Sequence, residues 1–174
     1  VGTSTPNAPF RPGAMLLKTA KIHRVAAICY RVRNGRIEFC LVRTGSGAWT
    51  LPKGRVPAGT SRVRAAAIEA REEAGVRGSL EPAPLARYIH QKGKGRRARL
   101  QRVEAYLLRA DGFRPEKAEK GRSPRWVSRE EAHRLLGKGR PAALADEVRR
   151  VLAVADMTLT APLFVRSAAA LQVA

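Results

Sequence analysis

An α/β fold is predicted by three observations. Two strand-like runs flank an Asn34-Gly35 pair, a helix signature runs from Thr60 or Ser61 to Gly75, and further strand-like runs are followed by two helix signatures near the end. With 174 residues, 44% of them hydrophobic, the chain can build one well-buried domain and is short for two. Only 5% are aromatic, so the core has to rely on Val, Leu, Ile and Ala. The expected division is a flexible arm at 1–20, one domain at 21–156 and an apolar tail at 157–174.

The arm has three prolines in its first 14 residues and no periodicity. Runs 26–33 and 36–43 then form a hairpin, because Asn-Gly between alternating segments favours a two-residue turn. That turn sets Val32 opposite Ile37, Tyr30 opposite Phe39 and Ile28 opposite Leu41, giving an apolar face. Arg31 meets Glu38 on the other face, an ion pair. Cys29 falls opposite Cys40 in a hydrogen-bonded position, whose geometry suits a disulfide poorly. Two free thiols in a reducing cytoplasm are expected. Residues 44–49 form a glycine-containing loop, with Trp49 read as packing rather than as a base-stacking platform.

Residues 51–59 form a loop whose glycines let backbone approach an anion or lend a carbonyl to a metal. In the helix that follows, Glu69, Glu72 and Glu73 stand at i, i+3 and i+4 and share one face. Val63, Ala66, Ala67, Ala70 and Ala74 face the other way and pack. Three crowded carboxylates repel, so something cationic should lie over them. Oxygen ligands of this kind suit Mg²⁺ or Mn²⁺.

After the helix, 87–90 and 103–108 read as strands around a basic segment. Residues 111–125 look loop-like, and 125–127 a short strand. Ser128 with Glu131 signals a capped helix through Leu136 that Gly137 closes. Pro141 starts a second helix, with Leu144, Val148, Val151, Leu152 and Ala155 on one stripe. Residues 157–174 are apolar but broken by Pro162 and Arg166. They suit packing on the domain or on a second copy, which leaves homo-oligomers open, and no stretch suits a membrane span.

Residues 54–76 resemble the Nudix box, G-x5-E-x7-R-E-U-x-E-E-x-G-U with U aliphatic, found in hydrolases of nucleoside diphosphates linked to another moiety. Gly54 matches the first Gly, Glu69 the Glu of R-E, Ala70 loosely the U, Glu72 and Glu73 the E-E, Gly75 the last Gly and Val76 the final U. Thr60 stands in place of the first Glu and Ile68 in place of the Arg. In the family that pair braces the loop against the helix, so packing has to replace the brace here. The resemblance implies an α/β/α sandwich with a mixed central sheet. Within the family the chain looks most like the diphosphoinositol polyphosphate and diadenosine polyphosphate hydrolases, on its run 49–54, its basic stretch and Trp126-Val127 before a capped helix.

Carried over from the family, Glu72 and Glu73 would bind the metal, and Glu69 would bind it or orient the attacking water. A carbonyl at Lys53 or Gly54 would complete the shell. Lys53 and Arg55 sit where cations could hold phosphate. Glu104 is open between a further ligand or base and an exposed strand carboxylate. His90 is open between a phosphate contact and a structural role.

The net charge of +20, from 34 basic and 14 acidic residues, attracts polyanions such as nucleic acid, polyphosphates, inositol phosphates or anionic lipid. From Arg87 to Arg102 there are seven basic residues and no acids. Lys92, Lys94, Arg96, Arg97 and Arg99 in this segment are the candidates for binding a substrate with many phosphates. Three readings follow: a Mg²⁺-dependent polyphosphate hydrolase, an RNA 5′ pyrophosphohydrolase, and a non-catalytic Nudix-like domain binding RNA or a ribonucleoprotein.

Overall fold

The computed structural model describes residues 24–93, 96 and 98–171, with side chains of the last helix through 161. The expected N-terminal arm, and Lys94 and Arg97 of the basic segment, lie outside the described residues.

Strands β1 (Arg24–Arg33) and β2 (Arg36–Arg43) form the hairpin. Its turn places Asn34 and Gly35 at φ 50° and 71°, as a two-residue turn requires. Tyr30 pairs with Phe39, Arg31 with Glu38 and Val32 with Ile37. The Arg31 and Glu38 side chains form the expected ion pair at 2.6 Å. Both Cys29 and Cys40 are free, and burial pushes each thiol up, Cys40 to about 12.

Short strands β3 (Trp49–Thr50) and β4 (Lys53–Gly54) lead to helix α1 (Arg62–Ala74). Its Ser61 hydroxyl accepts from the Arg64 amide, and Gly75 ends it in the left-handed conformation at φ 64°. Strands β5 (Val76–Leu80), β6 (Ala86–Lys92) and β7 (Arg99–Phe113) follow. Residues 111–113, expected in a loop, extend β7: Gly112 and Phe113 pair with Arg77 and Val76, and Asp111 sits at a register shift between Arg77 and Gly78. A 3-10 turn at Pro115–Lys117 and strand β8 (Ser123–Ser128) lead to helices α2 (Arg129–Gly137) and α3 (Ala142–Leu171).

Ser128 caps α2 by accepting from the Glu131 amide, but Gly137 is its last residue and not a left-handed stop. A Cβ at Gly137 would lie 1.8 Å from the Arg149 guanidinium, which rests over this residue. Helix α3 does not stop at Ala155 but runs on through Pro162. No helix among the described residues is long and apolar enough to cross a membrane.

The strands form one sheet ordered β3-β2-β1-β7-β5, with β4 on β1, β6 on β7 and β8 on β2. Strands β1 and β7 are parallel and the other pairs antiparallel, so the sheet is mixed. Ala26, Ile28, Phe39 and Leu41 face α2 and α3, packing with Leu136, Val151 and Leu152. Ala27, Cys29, Cys40 and Val42 face α1, packing with Ala70 and Ala74. The hairpin face expected to carry the Arg31–Glu38 ion pair and the two cysteines is therefore apolar over most of its length. Both sheet faces are covered, which completes an α/β/α sandwich.

Candidate active site

Loop and helix meet at two points that hold the α1 carboxylates. The Lys53 amide donates to Glu73 Oε2 at 3.0 Å, and Glu73 is 4% exposed. At the next residue, a Cβ on Gly54 would lie 1.6 Å from Glu69 Oε1, so only glycine lets that carboxylate rest on the strand. Val56 of the loop and Val63 of the helix join one apolar cluster with Val25, Ala65, Ala66 and Tyr106. Thr60 and Ile68 are not part of this cluster. The buried face of the helix differs slightly from expectation, with Ala65 buried and Ala67 only partly so.

The carboxylates crowd as their spacing predicts. Burial, followed by the charges of Glu73, Glu72 and Glu119, raises the Glu69 carboxyl to about 7. One of the three has a guanidinium on it: Arg122, arriving before β8, pairs with Glu73 and reaches Glu119 at 3.8 Å. Glu72 is half-exposed, with Arg71 at 3.5 Å. Among the described residues no three His, Cys, Asp or Glu side chains converge as a finished metal cage. The donor set nevertheless suits a divalent ion: two carboxylates lie against the Lys53–Gly54 backbone, a third shares their face, and their mutual repulsion is what such an ion neutralises.

The Lys53 side chain takes the other direction. Its ammonium is buried, donates to Thr50 Oγ1 at 2.9 Å, and falls to about 8, mainly through burial. It lines a cavity of about 640 Å³ together with Tyr88, His90, Lys92, Arg140 and, from α3, Leu144. The Tyr88 hydroxyl is buried in that wall with no hydrogen-bond partner among the described residues. Burial and the surrounding cations push His90 down to about 3, so it meets a ligand as a neutral imidazole. Arg140 is anchored by donating to the Leu136 and Trp49 carbonyls. Trp49 itself packs on the core beneath the Arg125 guanidinium, as a packing residue rather than a stacking platform.

The other candidates separate. Arg55, Arg96 and Arg99 are exposed, and Arg99 donates to the Arg96 and Ala98 carbonyls. Lys92 is exposed at the cavity mouth. Glu104 is 1% exposed, which corrects the exposed-strand alternative. It accepts from Tyr106 Oη at 2.5 Å and Arg87 Nε at 3.0 Å, with Arg62 Nη1 at 3.5 Å.

Sequence reasoning missed Arg24, Tyr88, Glu119, Arg122 and Arg140. Arg24 donates to Gln101 Oε1 at 2.7 Å and its charge acts on Lys53, Glu69 and His90. The order of strands brings these residues in, and the only advance signal was an abundance of arginine.

Comparison with known proteins gives the same picture. A sequence model described as the NUDIX domain matches residues 22–148. The Ap4A hydrolase of C. elegans, solved as a binary complex, shares 20% identity over 81% of this chain and 99% of its own, with a TM-score of 0.57. The NUDIX domain of Shewanella oneidensis NrtR, complexed with ADP ribose, shares 16% identity over 87% and 94%, with a TM-score of 0.60. A NUDIX hydrolase from Nitrosomonas europaea shares 18% identity over 74% and 86%, with a TM-score of 0.55. At such identities these likenesses speak to the fold, while the domain match covers most of the chain. The chain belongs to the NUDIX domain family.

Proposed function

We propose that the chain is a Mg²⁺- or Mn²⁺-dependent hydrolase of polyphosphorylated small molecules, diphosphoinositol polyphosphates or dinucleoside polyphosphates. One observation carries the reading. Lys53 joins two parts of the protein, its amide on the metal-helix carboxylate Glu73 and its ammonium in the cation-lined cavity. A phosphate held by that ammonium would be one lysine side chain away from the backbone on which Glu73 rests.

Glu72 and Glu73 would hold the ion, with Glu69 as a ligand or the group that orients water, and a Gly54 carbonyl completing the shell. When bound, a divalent ion neutralises phosphate oxygens and acidifies water. Without metal, Glu69 is raised to about 7 by burial and the neighbouring carboxylates, and a bound divalent ion would lower it. Lys53 and Arg55 would hold the phosphates nearest the reacting bond. Tyr88 has an unmatched hydroxyl to offer a ligand in the cavity. Lys92 at the cavity mouth, with Lys94, Arg96, Arg97 and Arg99 of the same basic segment, would gather further phosphates, since one diphosphate cannot engage so many cations. The C. elegans neighbour, an Ap4A hydrolase by name, is consistent with the dinucleoside polyphosphate branch.

The test is product release from a diphosphoinositol polyphosphate, diadenosine polyphosphates of several lengths, ADP-ribose and triphosphorylated RNA, with Mg²⁺ and with chelator, for wild type and Glu73→Gln. Metal-dependent turnover of the polyphosphates, lost in the variant, is the expected result. Preference for the RNA would instead establish the 5′ pyrophosphohydrolase. No turnover, with RNA binding untouched by the variant, would leave the non-catalytic RNA- or ribonucleoprotein-binding reading.

A further inference from the structure

A second cavity, of about 240 Å³, opens at the C-terminal end of α1. Its walls carry Arg71, Arg77, Arg114 and Lys117 against a single acid, Glu72. Cations often gather at a helix C-terminus to meet its dipole, but that amounts to roughly half a charge, far less than four cations supply. Nor do the helix-end carbonyls wait for them. The Glu72 and Gly75 carbonyls already accept from the Glu119 and Arg114 amides at 2.7 and 2.8 Å.

Arg71 has Glu72 at 3.5 Å, while Arg77, Arg114 and Lys117 have no ion pair among the described residues. All 14 acids of the chain fall between Glu38 and Asp156, within the described residues, so none is left elsewhere to neutralise them. The cavity is also built by backbone. Besides the two hydrogen bonds, Gly75 is approached so closely that a Cβ there would lie 2.0 Å from the Arg114 carbonyl oxygen.

We propose that this cavity is an anion subsite for a phosphate group of the substrate lying beyond the anhydride that is cleaved. The proposal rests on the hydrolase reading above in one respect, that Glu72 belongs both to the metal-binding face and to this cavity. A phosphate chain held at the carboxylates through a divalent ion has its next groups beside Arg71, Arg114 and Lys117. Each guanidinium can offer two parallel N–H donors to a phosphoryl group, and the lysine a point charge. This cavity is separate from the one that Lys53 lines, so the substrate would be gripped on both sides of the metal face.

The test uses inorganic tripolyphosphate, titrated calorimetrically into the full chain in chelator at about 150 mM salt, where screening suppresses general surface attraction. The site variant is Arg114→Gln with Lys117→Gln, which keeps the Arg114 amide that pins the loop. The charge-matched control is Arg33→Gln with Arg36→Gln, on the exposed hairpin turn. Thermal melting checks that both fold. Affinity should fall at least fivefold in the site variant and less than twofold in the control. Equal losses would show that the overall field alone binds the anion and would overturn the site. In steady-state kinetics the site variant should raise KM for a long polyphosphate and leave KM for ADP-ribose unchanged. An unchanged KM for both would sink the substrate subsite. Absence of all turnover with the calorimetric difference intact would remove the hydrolase reading and leave an anion site.

Discussion

The Lys53 amide donates to Glu73 Oε2 at 3.0 Å, while the Lys53 ammonium points to Thr50 Oγ1 at 2.9 Å. One residue thus fixes a helix carboxylate from the loop and charges the wall of the neighbouring cavity.

Gly54→Ala should damage the site without touching a charged group. The added methyl would meet the Glu69 carboxylate at 1.6 Å, so that carboxylate has to swing off the strand. Because a flexible side chain can give way, the stability loss should stay at about 1 kcal/mol or less. Mn²⁺ affinity, read by calorimetry, should fall at least about tenfold, because a ligand misplaced by a fraction of an ångström is a poor ligand. Wild-type affinity in the variant would mean that this contact does not shape the metal site.

Arg122→Gln should have opposite effects on the metal-free and metal-loaded protein. The guanidinium lies on Glu73, where it neutralises charge that a divalent ion would otherwise neutralise. Without it the metal-free protein should melt lower, because the carboxylates repel unchecked. Divalent affinity in the absence of substrate should rise several-fold. A fall in both would show that Arg122 supports the site rather than competes for it.

The Lys53 ammonium predicts a window of pH. Its folded value, about 8, lies below the ordinary 10.5, so between these values the folded state holds fewer protons than the unfolded chain. Stability from this group therefore rises with pH across 8 to 10.5, and the cost of the buried charge is full below 8. That cost is about 3 kcal/mol at most. Metal-free Lys53→Met should be more stable than wild type in urea at pH 7, with the advantage fading towards pH 10.5. Wild-type KM for a polyphosphate should rise as pH passes 8, since the phosphate loses its cation. A pH-independent difference between the proteins would contradict this.

Glu104→Gln should cost stability more than chemistry. The buried carboxylate accepts from Tyr106 and Arg87 and faces Arg62, so an amide leaves two arginines without their shared anion. Loss of one partner of a buried pair costs about 3–5 kcal/mol, and the half-exposed arginines place this case near or below the low end, at about 2 kcal/mol. Chemical denaturation should show that loss, while kcat at a temperature where the variant is folded stays within about threefold. A loss of kcat a hundredfold or more would make Glu104 part of the reaction.

What the sequence determined by itself was local. The Asn34-Gly35 turn set the pairing of Tyr30 with Phe39 and Arg31 with Glu38, because a two-residue loop allows only one register. The helix ends at Ser61 and Gly75, and the shared face of its glutamates, follow from caps and a 3.6-residue period. The tertiary structure decided everything that depends on which strands lie side by side. Parallel pairing of β1 with β7 and the descent of α1 onto Cys29 and Cys40 buried a hairpin face that reads as half-polar in isolation. Gly112 and Phe113 became strand by finding partners in β5, and Glu104 became buried by gathering Tyr106, Arg87 and Arg62. Arg122 reaches Glu73 across 49 positions. No periodicity encodes such a meeting, because each arginine is locally equivalent to the others, and only the fold selects the one whose approach a carboxylate rewards.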